Sequence, residues 1–346
     1  MGIDAHKRTH TAVAIDEAGR KLGEKTTRMT TTEANLELLR WADEFGPEHR
    51  FAVEDCRHLS RRLEADLLAS GEEIVRVPPK LMAHARDAAR TYGKSDPIDA
   101  LAVARAAWRE PDLPVARLDG ASRDLRLLVD HREDLIRERT SQINRLRWHL
   151  HELDPSWDPA PRSLVRFKHL DVTAARLEDI EGTLAWVAGD LVGRIREITV
   201  AANELERRIT AGVGIVAPTL LAVPGVGALT AAKIVAETAD VRRFRSKDCF
   251  ARHNGTAPLP VWSANKVRHR LSRTGNRQLN AALHRIAITQ MRIHEPAKAY
   301  LDRRIAMGNT KTEAIRSLKR HLSDVVFRAL LADAETAASV NEARAA

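Results

Sequence analysis

GKSDPIDALAVAR, residues 93–105, sets two aspartates, Asp96 and Asp99, at the head of a run that reads as a helix over 98–109. Three positions apart, they share one helical face. Pro111 and Pro114 stop the run, so a first domain is expected over 1–114. Toward the amino terminus, 74–77 and a stretch ending at Glu54 read as short apolar strands flanking a helix over 59–70. Residues 1–4, 11–16 and 21–29 read as a three-strand meander, broken at His6-Lys7-Arg8 and at Glu17-Ala18-Gly19. Thr32 is expected to cap a helix over 33–45 that Gly46-Pro47 ends. A meander followed by alternating strands and helices predicts an α/β domain with a partly parallel sheet. If the strand of Glu54 lies beside the first strand, Asp4 and Glu54 share one sheet edge and face the helix of Asp96 and Asp99. Four converging carboxylates suit divalent cations about 4 Å apart that act on phosphodiesters. Taken singly, Asp96 also reads as a helix N-cap and Asp4 as a turn residue. Lys7 reads either as a phosphate contact or, with Arg8, as a solvated turn residue.

Beyond Pro114 the pattern changes. Residues 121–153 read as one long helix with Leu125, Leu128, Leu135, Leu146 and Leu153 along a seam that Arg139 and Gln142 interrupt. Pro155, Pro159 and Pro161 end it, and a second helical stretch is expected over 172–208. Together they form a helical or coiled-coil spacer, 115–215, suited to an antiparallel hairpin or a subunit interface. A mostly helical domain is expected over 216–332, followed by an Ala-rich end over 333–346 that reads as a fraying helix or tail. Pro224-Gly225-Val226-Gly227 leads into a helix over 229–238, as in helix-hairpin-helix modules, where Gly225 and Gly227 would offer backbone N–H groups to phosphate. Thr230 stands where a dinucleotide fingerprint needs a third glycine. Lys266, Arg268, Arg270, Arg273 and Arg277 crowd twelve residues around Gly275-Asn276. Such density suits a nucleic-acid backbone, with a solvated basic loop as the alternative.

Composition narrows the partners. A chain of 346 residues is long for one core. Its 56 Lys and Arg against 47 acids give a net charge of +9, which favours a polyanion. Aromatic residues are scarce at 4%, so base stacking should contribute little. Cys56 and Cys249 lack zinc or disulfide spacing. His6, His10, His149 and His151 likewise read as surface or helix decoration. No apolar run reaches a membrane span and no signal pattern opens the chain, so a cytoplasmic, nucleoid-associated protein of prokaryotic type is expected, without membrane contact.

GIDAHK at 2–7, VEDC at 53–56 and GKSDPIDALAVAR at 93–105 resemble the three acidic blocks of the DEDD transposases of the insertion sequence 110 family, its 1111 subgroup included. The likeness covers nearly the whole chain. LIRERTSQINRLRWHLHEL at 135–153 is similar to that family's long interdomain helix, and PGVGALTAAKIVAE at 224–237 and NGTAPLPVWSANKVRHRLSRTGNRQLNAAL at 254–283 are similar to its carboxy-terminal domain. The resemblance implies an RNase H-like, RuvC-type fold for the first domain. It also implies Asp4, Glu54, Asp96 and Asp99 as catalytic ligands of Mg²⁺ (or Mn²⁺), and donor and target DNA as substrates. Ser263, which by residue chemistry alone carries little signal, aligns with the serine that such enzymes join covalently to DNA. Ala264 departs from the Ser-Gly common in members, and Ser272 is a second hydroxyl suited to phosphate contact. A homo-oligomer, dimer or tetramer, and guidance by a structured noncoding RNA are further implications.

Two other functions compete with an RNA-guided serine recombinase. One is a junction-resolving nuclease that activates water; the basic domain and spacer argue against it. The other is a nonenzymatic nucleic-acid-binding protein; the presence of all four acids argues against that. Because only three residues precede Asp4, either the first strand is short or translation begins upstream of this methionine.

Overall fold

The computed structural model describes residues 1–54, 57–79, 81–82, 85, 95–110, 113, 115–116, 120–263, 266–270 and 275–345. They fall into two compact units, Met1–Leu118 and Asp119–Ala346.

The first unit is built on a five-stranded sheet: β1 (Gly2–Ala5), β2 (His10–Ile15), β3 (Lys21–Thr27), β4 (Phe51–Glu54) and β5 (Ile74–Val77), in the order β3-β2-β1-β4-β5. β1, β2 and β3 pair antiparallel, whereas β1, β4 and β5 run parallel. The expected meander and parallel half are both present. Helices α1 (Thr32–Asp43) and α2 (Arg57–Ala69) connect the strands, and α3 (Asp96–Arg109) follows β5. Side chains alternate across a strand, so β4 and β5 feed two cores. Ile3, Phe51, Val53 and Ile74 pack with Leu38, Leu63 and Leu67 of α1 and α2, while Ala52, Val75 and Val77 pack with Ala102, Val103 and Ala106 of α3. Both faces are thus covered, as parallel strands require. Two caps differ from expectation. Thr31, not Thr32, caps α1, its hydroxyl accepting from Ala34 N, and Ser95 precedes α3, leaving Asp96 as the first helical residue.

Gly2 explains how α3 lies so close to β1. A Cβ there would stand 2.3 Å from Ala100 O and from Ala104 N. Only a residue without a side chain admits that approach.

In the second unit, α4 (Gly120–Leu153) runs antiparallel to α6 (Thr183–Val216): Leu125 meets Gly212, Arg132 pairs with Glu206, and Arg139 donates to Thr199 Oγ1. Arg139, which interrupts the apolar seam, is therefore satisfied across the hairpin. The second helical stretch is not continuous. It divides into α5 (Phe167–Glu178) and α6, because Gly182 takes φ 115°, a conformation closed to most L-residues. The hairpin's far end has its own core of Leu146, Leu150, Leu164, Leu170, Leu191 and Ile195.

The remaining elements are α7 (Pro218–Leu221), α8 (Ala228–Thr238), α9 (Lys247–His253), the hairpin β6 (Leu259–Ser263) and β7 (Lys266–Arg270), α10 (Arg277–Ile293), α11 (Glu295–Ala306) and α12 (Lys311–Ala345). Phe250, Leu279, Leu283, Ile286 and Val326 centre a core that Leu125 and Val129 of α4 also enter. α12 runs through the boundary drawn at residue 333. Asp333 is buried, and its carboxylate accepts from Thr219 N and Leu220 N at the head of α7, so of the two readings of this end, fraying helix or tail, the helix is the one observed.

Candidate functional site

Asp4 lies on β1 between Ile3 and Ala5, with a side chain only 8% exposed. It shares strand parity with Gly2, which abuts α3, and therefore faces that helix. In β4, paired in parallel with Gly2 opposite Ala52, Glu54 has the parity of Ala52 and closes the strand at the same edge. Asp96 and Asp99 occupy the first turn of α3, where the helix dipole favours negative charge. The sheet and α3 thus gather the four expected acids around one end of β1.

Asp4 Oδ2 is buried and, among the described residues, receives no hydrogen bond. Burial pushes the Asp4 carboxyl up to about 6; the charges of Asp99, Asp96 and Glu54 push the same way, and His6 opposes them. Among the described residues His6 alone is shown to oppose this cost, and only when protonated, so the buried carboxylate oxygen beside other carboxylates is under-compensated. Ligand atoms of Asp4, His6 and Asp96 all lie within 4.8 Å of one another. This donor set fits a divalent cation, with Asp4 and Asp96 as oxygen ligands and Asp99 and Glu54 close enough to act on the same charge.

His6 lies on the surface as expected but beside Asp4, whereas His10 departs from its expected surface role. His6 opens the β1–β2 turn, its N–H bonded to Thr9 O at 2.9 Å, and its Nδ1 stands 3.5 Å from Asp4 Oδ2. His10 is fully buried on β2, and burial lowers its pKa to about 4. A nearby strand-end acid was the one sequence signal for His6; for His10 it was its place in the apolar run HTAVAI. Lys7 is exposed in the same turn.

The other expected residues belong to the second unit. Gly225 takes φ +82° in a turn docked on α10, where Gln290 Nε2 donates to Pro224 O at 2.7 Å, and Gly227 precedes α8 as its N-cap. Ser263 ends β6 and pairs in register with Lys266, as Val261 does with Arg268 and Leu259 with Arg270. The front of the basic stretch, for which a solvated loop is the alternative reading, is one strand of a two-stranded hairpin in which Lys266, Arg268 and Arg270 hold alternate positions. Arg277 is exposed at the first position of α10, while Arg273 and Cys56 lie outside the described residues.

The hairpin springs from a tightly fastened base. A Cβ on Gly275 would stand 2.4 Å from Gly255 N, and Asn276 N donates to His253 O at 2.6 Å. Asn254 Nδ2 donates to Ser323 Oγ, Asn280 Nδ2 to Asn254 O, and buried Lys319 of α12 to Asn280 Oδ1 at 2.6 Å. The network unites α9, α10 and α12 around both ends of the hairpin loop. Lys319 went unremarked in the sequence because nothing in the spacing of α12 marks it from its charged neighbours.

Comparison with known proteins gives the class. Residues 1–155 match the family model of a DEDD transposase, and residues 217–302 match the model of transposases of the IS116/IS110/IS902 family. Such enzymes cleave and transfer DNA, and the DEDD type points to dependence on a divalent metal ion. The chain belongs to the IS116/IS110/IS902 family of insertion-element transposases. It is 30% identical, over 95% of its own length and 94% of the relative's, to the "Insertion element IS116 uncharacterized 44.8 kDa protein" of Streptomyces clavuligerus. It is 25% identical to the "Insertion element IS110 uncharacterized 43.6 kDa protein" of Streptomyces coelicolor, over 95% of this chain and 93% of that one. To the "Insertion element IS900 uncharacterized 42 kDa protein" of Mycobacterium paratuberculosis it is 26% identical, over 95% and 94%. Among the described residues, no helix is long and apolar enough to cross a membrane.

Proposed function

We propose that this transposase breaks and rejoins DNA through a covalent bond to Ser263, with the acids Asp4, Glu54, Asp96 and Asp99 of an RNase H-like domain holding Mg²⁺ or Mn²⁺ at the scissile phosphate. The observation that carries the acidic half is the buried Asp4 oxygen that has no hydrogen-bond donor among the described residues, set beside Asp96. The strand order β3-β2-β1-β4-β5, antiparallel then parallel, supports the RNase H-like reading. Support for the serine comes from its register: Ser263 closes β6 opposite Lys266, on a hairpin whose alternate positions carry Arg268 and Arg270. Alternate positions of one strand share a face, so a DNA backbone laid on that face would meet three cations beside the serine.

A bound divalent ion supplies Lewis-acid stabilisation of charge on the phosphate oxygens. Asp4, Glu54, Asp96 and Asp99 would hold it, with Asp4 and Asp96 the pair whose ligand atoms already lie close together. The Ser263 Oγ–phosphorus bond forms as the bond from phosphorus to the deoxyribose oxygen breaks. The serine proton is released, and the departing oxygen takes up a proton. A hydroxyl of a second strand then attacks the phosphoserine, restoring the serine and completing strand exchange. Lys7, Lys266, Arg268, Arg270, Arg273 and Arg277 bind backbone phosphates, and Gly225 and Gly227 offer N–H groups at the head of α8. Further parts of the proposal are a homo-oligomer, dimer or tetramer, that pairs the acidic site of one subunit with the serine of another, and a structured noncoding RNA that selects donor and target by base pairing.

The test is a denaturing gel of full-length protein incubated with Mg²⁺, the element's flanking RNA and labelled donor and target DNA. A covalent adduct is expected in the wild type, absent in Ser263→Ala and reduced at least about 10²-fold in Asp99→Asn, a scale set by losses at metal sites. Metal-dependent cutting that leaves no adduct, with Ser263→Ala unimpaired, would overturn the serine assignment in favour of a nuclease that activates water.

A further inference from the structure

His6 is a residue that the four-acid pattern does not include, yet it shares the same small space. Its Nδ1 lies 3.5 Å from Asp4 Oδ2, and one ligand atom each from Asp4, His6 and Asp96 fall within 4.8 Å of one another. A single ion about 2.1–2.3 Å from each of three donors needs them no more than about 4.6 Å apart, a spacing that small side-chain adjustments reach from here. Asp4 Oδ2 is buried and, among the described residues, receives no hydrogen bond. His6 is also held in place. The bond from its N–H to Thr9 O closes the turn at the end of β1, two residues past Asp4, while the ring keeps 49% of its surface in solvent and so has room to rotate onto an ion.

From this geometry we infer that His6 is a nitrogen ligand of the divalent ion at the acidic site, making the site selective for Mn²⁺ over Mg²⁺. Mg²⁺ favours an octahedral shell of oxygens, whereas Mn²⁺ accepts carboxylate and water and lies higher in the order of affinity for mixed nitrogen and oxygen sites. One imidazole beside two carboxylates therefore adds more to Mn²⁺ binding than to Mg²⁺ binding. The inference rests on the acidic cluster's being a metal centre, and the test separates the two.

Mn²⁺ is titrated into the full-length protein and followed by electron paramagnetic resonance, with electron spin-echo modulation used to detect directly coordinated ¹⁴N. The wild type should bind Mn²⁺ with ¹⁴N modulation. His6→Ala and His6→Gln, at an exposed position, should lose the modulation and bind Mn²⁺ at least about tenfold more weakly, with Mg²⁺ affinity changed less. Bound Mn²⁺ without ¹⁴N modulation, or modulation that persists in both variants, overturns the role of His6 and leaves the metal centre standing. Failure of Mn²⁺ to bind at all overturns both.

Discussion

Asp4 and Ser263 both sit at or beside the end of a strand, but the strands are opposites. β1 is paired on both sides, buried along its whole length, and backed by α1 and α2 on one face and α3 on the other. β6 pairs with β7 alone, in a two-stranded sheet. An isolated hairpin of that kind is marginal in water, so its order must come from where it is anchored. The acidic site therefore owes its geometry to a core that surrounds it, and the serine owes its own to a fastened base several residues away. Each arrangement depends on one glycine at which two backbones touch: Gly2 against α3, and Gly275 against Gly255.

Substituting these glycines is the direct way to break the comparison. Gly2→Ala places a methyl group against helix backbone, not against a movable side-chain end, and α3 must shift to admit it. The expected cost is about 3 kcal/mol or more, at the upper end for overpacked cores, read from denaturant unfolding. Because α3 carries Asp96 and Asp99, the variant should also lose Mn²⁺ binding. Unchanged stability with full binding would show that the close approach of β1 and α3 does not set the site.

Gly275→Ala should cost less, about 2 kcal/mol, since the opposing chain at Gly255 is a loop with more freedom to yield than a helix. Here the expected losses reverse. The covalent adduct should fall while Mn²⁺ binding stays at the wild-type level. A variant that lost both would show that the hairpin base and the acidic site are not independently held.

Much of the first unit was legible in the sequence because its signals are local. Short apolar strands at Phe51–Glu54 and Ile74–Val77, the turn at Glu17-Ala18-Gly19 and the paired aspartates at the head of α3 are each read within a few residues. The hairpin at 259–270 was hidden by its own charge: Lys266, Arg268 and Arg270 fall with a period of two, but with few apolar residues between them they read as charge density and not as a strand. Gly182 broke a helix that helical periodicity carried through, and the Ala-rich end of α12 read as a fraying helix or tail because the capping role of Asp333 depends on Thr219 and Leu220, more than a hundred residues earlier. His6 escaped for a related reason. Its meaning comes from reaching back across a strand end toward Asp4 and Asp96, a relation that spacing alone does not express.

The smallest effect sharpens the comparison at the hairpin base. Burial lowers the Lys319 ammonium to about 8, and the neighbouring cations Arg316 of α12 and Arg277 of α10 act the same way; His284 of α10 is lowered in turn by burial and by Lys319. The ordinary value is 10.5, so between pH 8 and 10.5 the unfolded chain holds a proton that the folded chain has released. Stability contributed through this group must therefore rise with pH across that window, and the cost of the buried charge is fully present below it. The slope cannot exceed about 1.4 kcal/mol per pH unit, and about 1 kcal/mol is expected between pH 8 and 9. Lys319→Met keeps the aliphatic stem and removes the titration, so the wild type should gain about 1 kcal/mol more than the variant over that interval in denaturant unfolding. Equal gains would mean that Lys319 keeps its charge in the folded base. The polar network there would then hold an ammonium as firmly as water does, and the hairpin would be as well seated as the sheet around Asp4.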